Sequence, residues 1–323
     1  MIDEEAIARQ LEHTLAETDF PALGAKYRGK VRDVYRTAER MVIITTDRVS
    51  AFDHVLGTIP FKGEVLNAIA VDGFQRTQDL VPNHLLSAPD PNVLVVKPAR
   101  AFPVEFVVRG HLTGSLWRDY EAGRAGVYEV DLPQGLKKDQ RFEAPILTPS
   151  TKAEIGRHDE PISKRGILER GLMTQADLEE AEAAALALFS RGVEISAARG
   201  LILVDTKYEL GRDDQGRLMV IDEIHTPDSS RYWIAEGSRE RFLEGRPQQM
   251  LDKENLREWL IHEHGFSGHG TPPALGREIR VRLARFYLEL HERLLGRALL
   301  PTGGNPLGRI RANLERAGFL SAA

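Results

Sequence analysis

Two segments near the middle of the chain restrict its fold more than any other feature. LILVDTKYELG (Leu201–Gly211) and LMVIDEIHTPDSSRYW (Leu218–Trp233) each open on an apolar run, and Asp214–Gly216 supplies a turn between them. Strand side chains repeat every two residues, so Asp205, Lys207 and Glu209 share one face of the first segment. The two segments read as a β-hairpin. That pairing brings Glu209 towards Asp222, with Glu223 beside it. Carboxylates at strand ends with a lysine alongside suit a magnesium ion carrying nucleotide phosphates. A solvated hairpin face is the plain alternative.

The chain has 323 residues, 42% hydrophobic and 28% charged, enough for a substantial core and two or three lobes. Its net charge of −5, from 43 Lys and Arg against 48 Asp and Glu, gives no reason to expect nucleic acid or an anionic membrane as partner. Cysteine is absent, which excludes disulfides, thiolate metal sites and cysteine nucleophiles. It also agrees with a reducing compartment. The start, MIDEEAIARQLEHTL, lacks the cationic and apolar regions of a signal peptide. No apolar stretch is long enough to cross a bilayer. The expectation is a cytoplasmic protein.

Along the chain, residues 4–18 read as a helix with Ile7, Leu11 and Leu15 on one face. Met41–Asp47 reads as a strand, Val65–Gln78 as a helix, and Val93–Gly110 as strand, connector and strand. Short strands recurring through the first third predict an antiparallel lobe. Residues 131–165, rich in Pro, Gly, Ser and Thr, read as a long ordered loop, a length usually functional or disordered. Thr174–Arg191 is a helix with a capping-box-like start at Thr174 and Asp177. The last quarter is helical around Trp259–His262 and along Ile279, Leu283, Phe286, Leu290 and Leu294, before a glycine-rich break and a short amphipathic end.

Several clusters carry chemistry. GAKYRGK (Gly24–Lys30) fits G-x-x-x-x-G-K, but Val31 stands where a P-loop needs a hydroxyl, and the residues beyond it alternate like a strand. A glycine hairpin over phosphates fits better, with Lys30 and Arg32 supplying charge; an ordinary basic hairpin is the alternative. In TTDRVSAFDHVLGTIPFKGEVLN (Thr45–Asn67), Asp47, Arg48, Ser50, Asp53, Lys62 and Glu64 crowd around a glycine turn. On its own this segment reads as exposed surface pairs, and a polar pocket is the alternative. Arg109 ends an apolar strand, where an arginine needs a partner. Its fork suits a phosphate or a carboxylate, and a structural ion pair is the alternative. Lys152, His158 and Asp159 sit in the long loop. His262 and His264 lack metalloprotease spacing and read as surface. There is no G-x-S-x-G and no triad.

Taken together, YRGKVRDVY, TTDRVSAFD, PVEFVVRGHLTGS, LTPSTKAEIGRHDEPIS, LVDTKYELG and DEIHTPDSSRYW resemble the SAICAR synthetase family, in that family's order, from Tyr27 to Trp233. The helical C-terminal region resembles the longer, eukaryote-like form. Leu210 stands where the family usually has Phe, and Ala101 and Phe102 where two aliphatics usually precede P-x-E. Both exchanges keep an apolar residue.

The resemblance implies an ATP-dependent ligase using magnesium. It would join L-aspartate to the carboxylate of carboxyaminoimidazole ribonucleotide (CAIR). It implies an α+β, two-lobed ATP-binding fold, related to kinases and ATP-grasp enzymes, with ATP between the lobes. Residues 1–105 would form the lobe with the glycine loop and adenine hinge, and 106–245 the substrate and metal lobe. Residues 246–323 would form a helical region packed on that second lobe. Gly29, Lys30 and Arg32 would bind phosphates, and the connector from Lys97 to Glu105 the adenine. Lys207, Glu209 and Asp222 would be catalytic, the two acids holding metal. Arg109, Ser115, Lys152, His158, Asp159, Asp228, Ser230 and Arg231 would hold substrate. Asp47, Ser50 and Asp53 would lie towards nucleotide and metal. The expected assembly is a monomer or a homodimer. A small-molecule kinase and a non-catalytic nucleotide-binding module are the rival readings.

Overall fold

A computed structural model describes residues 3–52, 54–152, 160–251 and 254–321. In chain order the first elements are α1 (Glu4–Gln10), β1 (Ala25–Arg28), β2 (Arg32–Arg36), β3 (Met41–Thr45), β4 (Arg48–Ala51), β5 (His54–Thr58) and α2 (Lys62–Thr77). Then come β6 (Leu85–Asp90), β7 (Val93–Val96), β8 (Arg100–His111), α3 (Gly114–Glu121), β9 (Arg141–Leu147), β10 (Ser150–Thr151), α4 (Lys164–Glu169) and α5 (Gln175–Ala197). The remainder is β11 (Leu201–Arg212), β12 (Leu218–Ile221), β13 (Ser230–Ile234), α6 (Ser238–Leu243), α7 (Glu254–His264), α8 (Arg277–Leu295) and α9 (Pro306–Arg316). The chain divides into two compact units: residues 1–73, 85–98 and 253–323, and residues 74–84 and 99–252. Among the described residues no helix is long and apolar enough to cross a membrane.

The first unit is built on an antiparallel sheet of order β1-β2-β3-β7-β6. β7, VLVV, is buried along its whole length, as a strand covered on both faces must be. Tyr35, Val42, Ile44, Val93 and Val95 share a core cluster with Leu15, Phe20 and Leu23. Ile310 and Leu314, one turn apart on α9, enter the same cluster fully buried. Each such side chain contributes about 1.5–3 kcal/mol when removed from water. Arg309 anchors the helix further, pairing with Asp90 at 3.0 Å and with Glu64. α8 packs on α1. The C-terminal helices therefore belong to the first unit, whereas the resemblance implies packing on the second lobe. The apolar stripe of α9 completes a core that the N-terminal strands leave open.

The N-terminal helix is shorter than its periodicity suggests. After α1 comes a 3₁₀ turn at Leu11–His13, and Thr14 is extended. The backbone N–H of Leu15 is used elsewhere, donating to Asp47 Oδ2 at 2.7 Å. Leu15 still reaches the core.

In the second unit β8 and β11 run side by side, with β12 and β13 on the far edge of β11 and β9 and β10 on the far edge of β8. All these ladders are antiparallel. α5 covers one face: the backbone of Gly110 lies close to Phe189, and Gly192 packs against Leu203 and His225. Thr174 caps α5, accepting from the Asp177 N–H at 3.1 Å. Arg212 at the end of β11 ties back to Asp177 at 3.0 Å.

Two sequence expectations change here. Residues 131–165 contain β9, β10 and the start of α4 as well as loop. Pro145 disguises β9, yet an edge strand tolerates a residue without an N–H. The segment Leu218–Trp233 is two strands rather than one. β12 ends at Ile221, and Asp222 and His225 then take positive φ of 66° and 56°. The chain bulges out through 222–229 and rejoins β11 as β13.

Candidate active site

A β-bulge decides which face of β11 carries the charges. Between Leu203 and Asp205 the pairing with β13 shifts by one residue. Leu203 faces α5 through Gly192, and so does Tyr208, whose hydroxyl lies 2.7 Å from His225 Nε2. Strict alternation would put positions 203 and 208 on opposite faces. The extra residue reverses the phase. As a result Asp205, Lys207 and Glu209 turn away from α5; Val204, Thr206, Tyr208 and Leu210 are buried, and so is Asp205.

Strand register then sets the charges in rows. In one row Arg109, Asp205 and Arg231 are direct cross-strand partners. Asp205 Oδ2 accepts from Arg109 Nη1 at 3.3 Å and from Arg231 Nη1 at 2.5 Å. Arg109 also donates from Nε to Thr148 Oγ1 at 2.7 Å and from Nη2 to Ser115 Oγ at 3.1 Å. Burial pulls the Arg109 pKa down, and Asp205 opposes that shift. Gly114, with φ of +60°, opens α3 against Arg231.

In the other row Glu105 stands opposite Glu209, and Glu209 opposite Ile221, the residue before Asp222. Lys207 pairs with Glu105 and lies 3.8 Å from Glu209. Lys152 reaches the other Glu209 oxygen, and Ser150 donates to Glu105 at 3.2 Å. Burial would lower the Lys207 pKa, but Glu105 and Glu209 together hold it above its ordinary value. Lys207 is thus an ammonium, a fixed charge and not a nucleophile. Four residues of strand separate Asp205 from Glu209, about 13 Å.

The second unit therefore gathers Glu105, Arg109, Ser115, Lys152, Lys207, Glu209 and Arg231, with Asp222 adjoining Glu209's partner. It does not gather Ser230. That side chain points to the α5 face, 2.7 Å from Thr206 Oγ1, because it alternates with Arg231. Glu105 lies inside β8, and the connector after β7 is only residues 97–99. Asp228 sits in the bulged segment, its N–H donating to Thr226 Oγ1 at 3.3 Å. His158, Asp159 and Asp53 lie outside the described residues.

Gly29, Lys30, Arg32 and Lys97 belong to the first unit. β1 and β2 form the expected hairpin, closed by the Gly29 N–H donating to Arg32 O at 2.8 Å. Lys30 and Lys97 are exposed. The segment from Thr45 to Asn67 is not a solvated surface: Asp47, Arg48, Ser50, Lys62 and Glu64 are all buried. Arg48 pairs with Asp33 at 2.8 Å and donates to the carbonyls of Gly29 and Lys30, each at 3.0 Å. Asp47 accepts from the Gly63 N–H at 3.0 Å, and burial pushes its pKa up to about 6. Sequence reasoning left Asp205 out of the site, although its spacing in D-x-K-x-E held the signal. Nothing in the sequence singled out Gly114 or Thr148.

Comparisons with known proteins identify the family. A family model described as SAICAR synthetase matches residues 25–270. The phosphoribosylaminoimidazole-succinocarboxamide synthase of Legionella pneumophila (strain Lens) is 47% identical over 290 residues, covering 88% of this chain and 92% of its own. That of Bacteroides fragilis (strain YCH46) is 50% identical over 288 residues, covering 87% and 91%. The chain belongs to the SAICAR synthetase family. Among solved structures, SAICAR synthase from Saccharomyces cerevisiae complexed with SAICAR superposes with a TM-score of 0.77 at 30% identity, covering 89% of this chain and all of the yeast chain. The α+β fold with antiparallel sheets is that of SAICAR synthetase, and its activity is a ligation of purine biosynthesis.

Proposed function

We propose that the polar face of the second unit's sheet is where the SAICAR synthetase reaction takes place, with a separate task for each row. The observation that carries this is the cross-strand register. Two guanidiniums stand in one row, and two strand-borne glutamates stand about 13 Å from it along β11, with Lys207 in register between the two rows. A ribonucleotide bearing a phosphate at one end and a carboxylate at the other is complementary to that spacing. Arg109, Arg231 and Ser115 would take the phosphate, because guanidinium forks match phosphate oxygens.

A carboxylate resists amide formation, since direct attack must expel oxide. Transfer of the γ-phosphoryl group from ATP to the CAIR carboxylate gives an acyl phosphate and ADP. The aspartate amine then attacks the acyl carbon, inorganic phosphate leaves, and a proton is lost from nitrogen. Such transfers depend on positioning and charge neutralisation. Lys207, held as an ammonium, would neutralise charge near the transferring group, and Lys152 would assist it from the loop side. In the first unit Gly29, Lys30 and Arg32 would bind ATP phosphates, and Lys97 would lie towards the adenine.

The donor set also fits magnesium. Glu209 and Asp222 offer hard oxygen ligands, and magnesium commonly takes one or two carboxylates and fills its remaining positions with phosphate oxygens and water. The paired acids are the residues that would hold it, and the bound ion would supply charge neutralisation at the triphosphate. We place the enzyme in the cytoplasm, acting on small molecules as a monomer or homodimer.

ADP release with CAIR, ATP and magnesium, measured with and without L-aspartate, tests the reading. The ligase needs the amine to sustain turnover. Steady ADP release without aspartate would point to a kinase.

A further inference from the structure

We infer that Asp205 is a positioning residue for phosphate recognition, holding Arg109 and Arg231 together on the sheet face before substrate arrives. This deepens the proposed function and rests on its reading of that row as the phosphate clasp.

Two guanidiniums side by side repel each other, and more strongly where water is scarce. Both are substantially withdrawn from solvent, with side chains 8% and 15% exposed. A single carboxylate oxygen of Asp205 accepts from Nη1 of each. This arises from register, since Arg109, Asp205 and Arg231 are immediate neighbours across three strands. It also depends on the bulge before Asp205, which turns that carboxylate onto the face shared with the arginines.

The surroundings leave Arg231 little alternative. A Cβ on Gly114 would lie 2.5 Å from its Nη1 and 2.7 Å from its Nη2. Glycine there is required twice, for the close approach and for the left-handed backbone. Arg109 is fixed by Thr148 and Ser115 in addition to Asp205. A clasp built this way loses little side-chain entropy when the ligand binds. The one negative charge beside two positive ones also limits ground-state binding, and excess ground-state binding would not speed the chemistry.

The test compares KM for CAIR and for its dephosphorylated riboside in the full-length enzyme, Asp205→Asn, Asp205→Glu and Arg231→Ala. Asp205→Asn keeps the shape and removes the charge. It should raise KM for CAIR at least about tenfold, a loss typical of a charge-assisted contact. The preference for CAIR over the riboside should fall by the same factor. KM for ATP should stay within about twofold, since the residues proposed to bind it lie in the first unit. A general loss of folded enzyme lowers kcat and spares this preference. If Asp205→Asn does not fold by circular dichroism, Asp205→Glu, which keeps the charge but displaces it by a methylene, decides in its place. A folded variant with wild-type preference overturns the inference, and so does failure of both to fold, which would make Asp205 a folding residue. Arg231→Ala separates the two layers. If it keeps the preference, the clasp itself is misassigned. If it loses the preference while Asp205→Asn keeps it, only the positioning role falls.

Discussion

The two units both bury ions, but they use them differently. In the first unit Arg48 is spent on Asp33 and on the carbonyls of Ala16, Gly29 and Lys30. Arg309 is spent on Glu64, Asp90, Asn92 and Thr302. Both networks are closed on the protein itself. In the second unit the charges lie in rows along one sheet face, and the lysines remain reachable, Lys152 at 43% and Lys207 at 34% exposure. Closed networks hold segments together, while the exposed lysines of the second unit leave their charge within reach of a ligand. In the sequence the two kinds are indistinguishable, since each is a handful of Asp, Glu, Lys and Arg among apolar runs.

The sharpest way to break this contrast is to exchange the expected outcomes. Arg309→Ala leaves Glu64 and Asp90 buried without their partner, and stranding buried charges costs about 3–5 kcal/mol. Urea unfolding should show that loss, while KM for every substrate in the folded fraction stays unchanged. A large KM shift would mean that the network reaches the chemistry.

The second unit's sheet contains the same contrast between its own faces. His225, on the α5 side, is buried against the Tyr208 hydroxyl, and burial lowers its pKa to about 4. The unfolded chain therefore takes up a proton below the ordinary value of 6.5 that the folded chain refuses. Stability present above pH 6.5 is lost as pH falls towards 4, by up to roughly 3 kcal/mol. His225→Gln should flatten that part of the stability curve. A slope from His111, whose pKa burial also lowers to about 4, should remain. An unchanged pH profile would show that His225 is not held neutral.

On the open face the reverse pattern is expected. Glu209→Gln and Asp222→Asn should each lower turnover at least about a hundredfold, as loss of a metal-holding acid does, with unfolding midpoints close to wild type. Near-normal ADP release by both variants would remove the metal assignment.

Much of this was legible from local pattern. The D-x-K-x-E spacing puts Asp205, Lys207 and Glu209 on one face, and the alternation after Lys30 gives the glycine hairpin. The hidden features depended on long-range pairing. No local rule announces that Val204 is an extra residue, so the sequence could not say which face of β11 is buried. Nor could it say that Leu218–Trp233 is interrupted at Asp222, because the positive φ there is imposed by rejoining β11 further along. The placement of Ser230 is hidden for the same reason: it lies beside Arg231 in sequence but faces the other side of the sheet. The amphipathic stripe of α9 was visible, but its partner was not, since Ile310 and Leu314 fill a core made by residues far earlier in the chain, from Leu15 to Val95.

The smallest effect tests a feature that was read locally and found locally. Thr174 caps α5, the helix that shields the packed face of the site sheet, and its hydroxyl both accepts from the Asp177 N–H and donates to Asp177 Oδ2 at 2.8 Å. Asp177 has a second task, since its other oxygen takes Arg212 from the end of β11. Thr174→Ala should cost about 1 kcal/mol, the usual worth of an N-cap. It should leave turnover unaltered, because the cap is on the far side of the sheet from the charged rows. Asp177→Asn removes the charge that Arg212 needs and should cost more than the cap alone. If the two variants instead destabilise equally and additively, the cap and the ion pair are independent, and α5 is held to β11 by its apolar face alone.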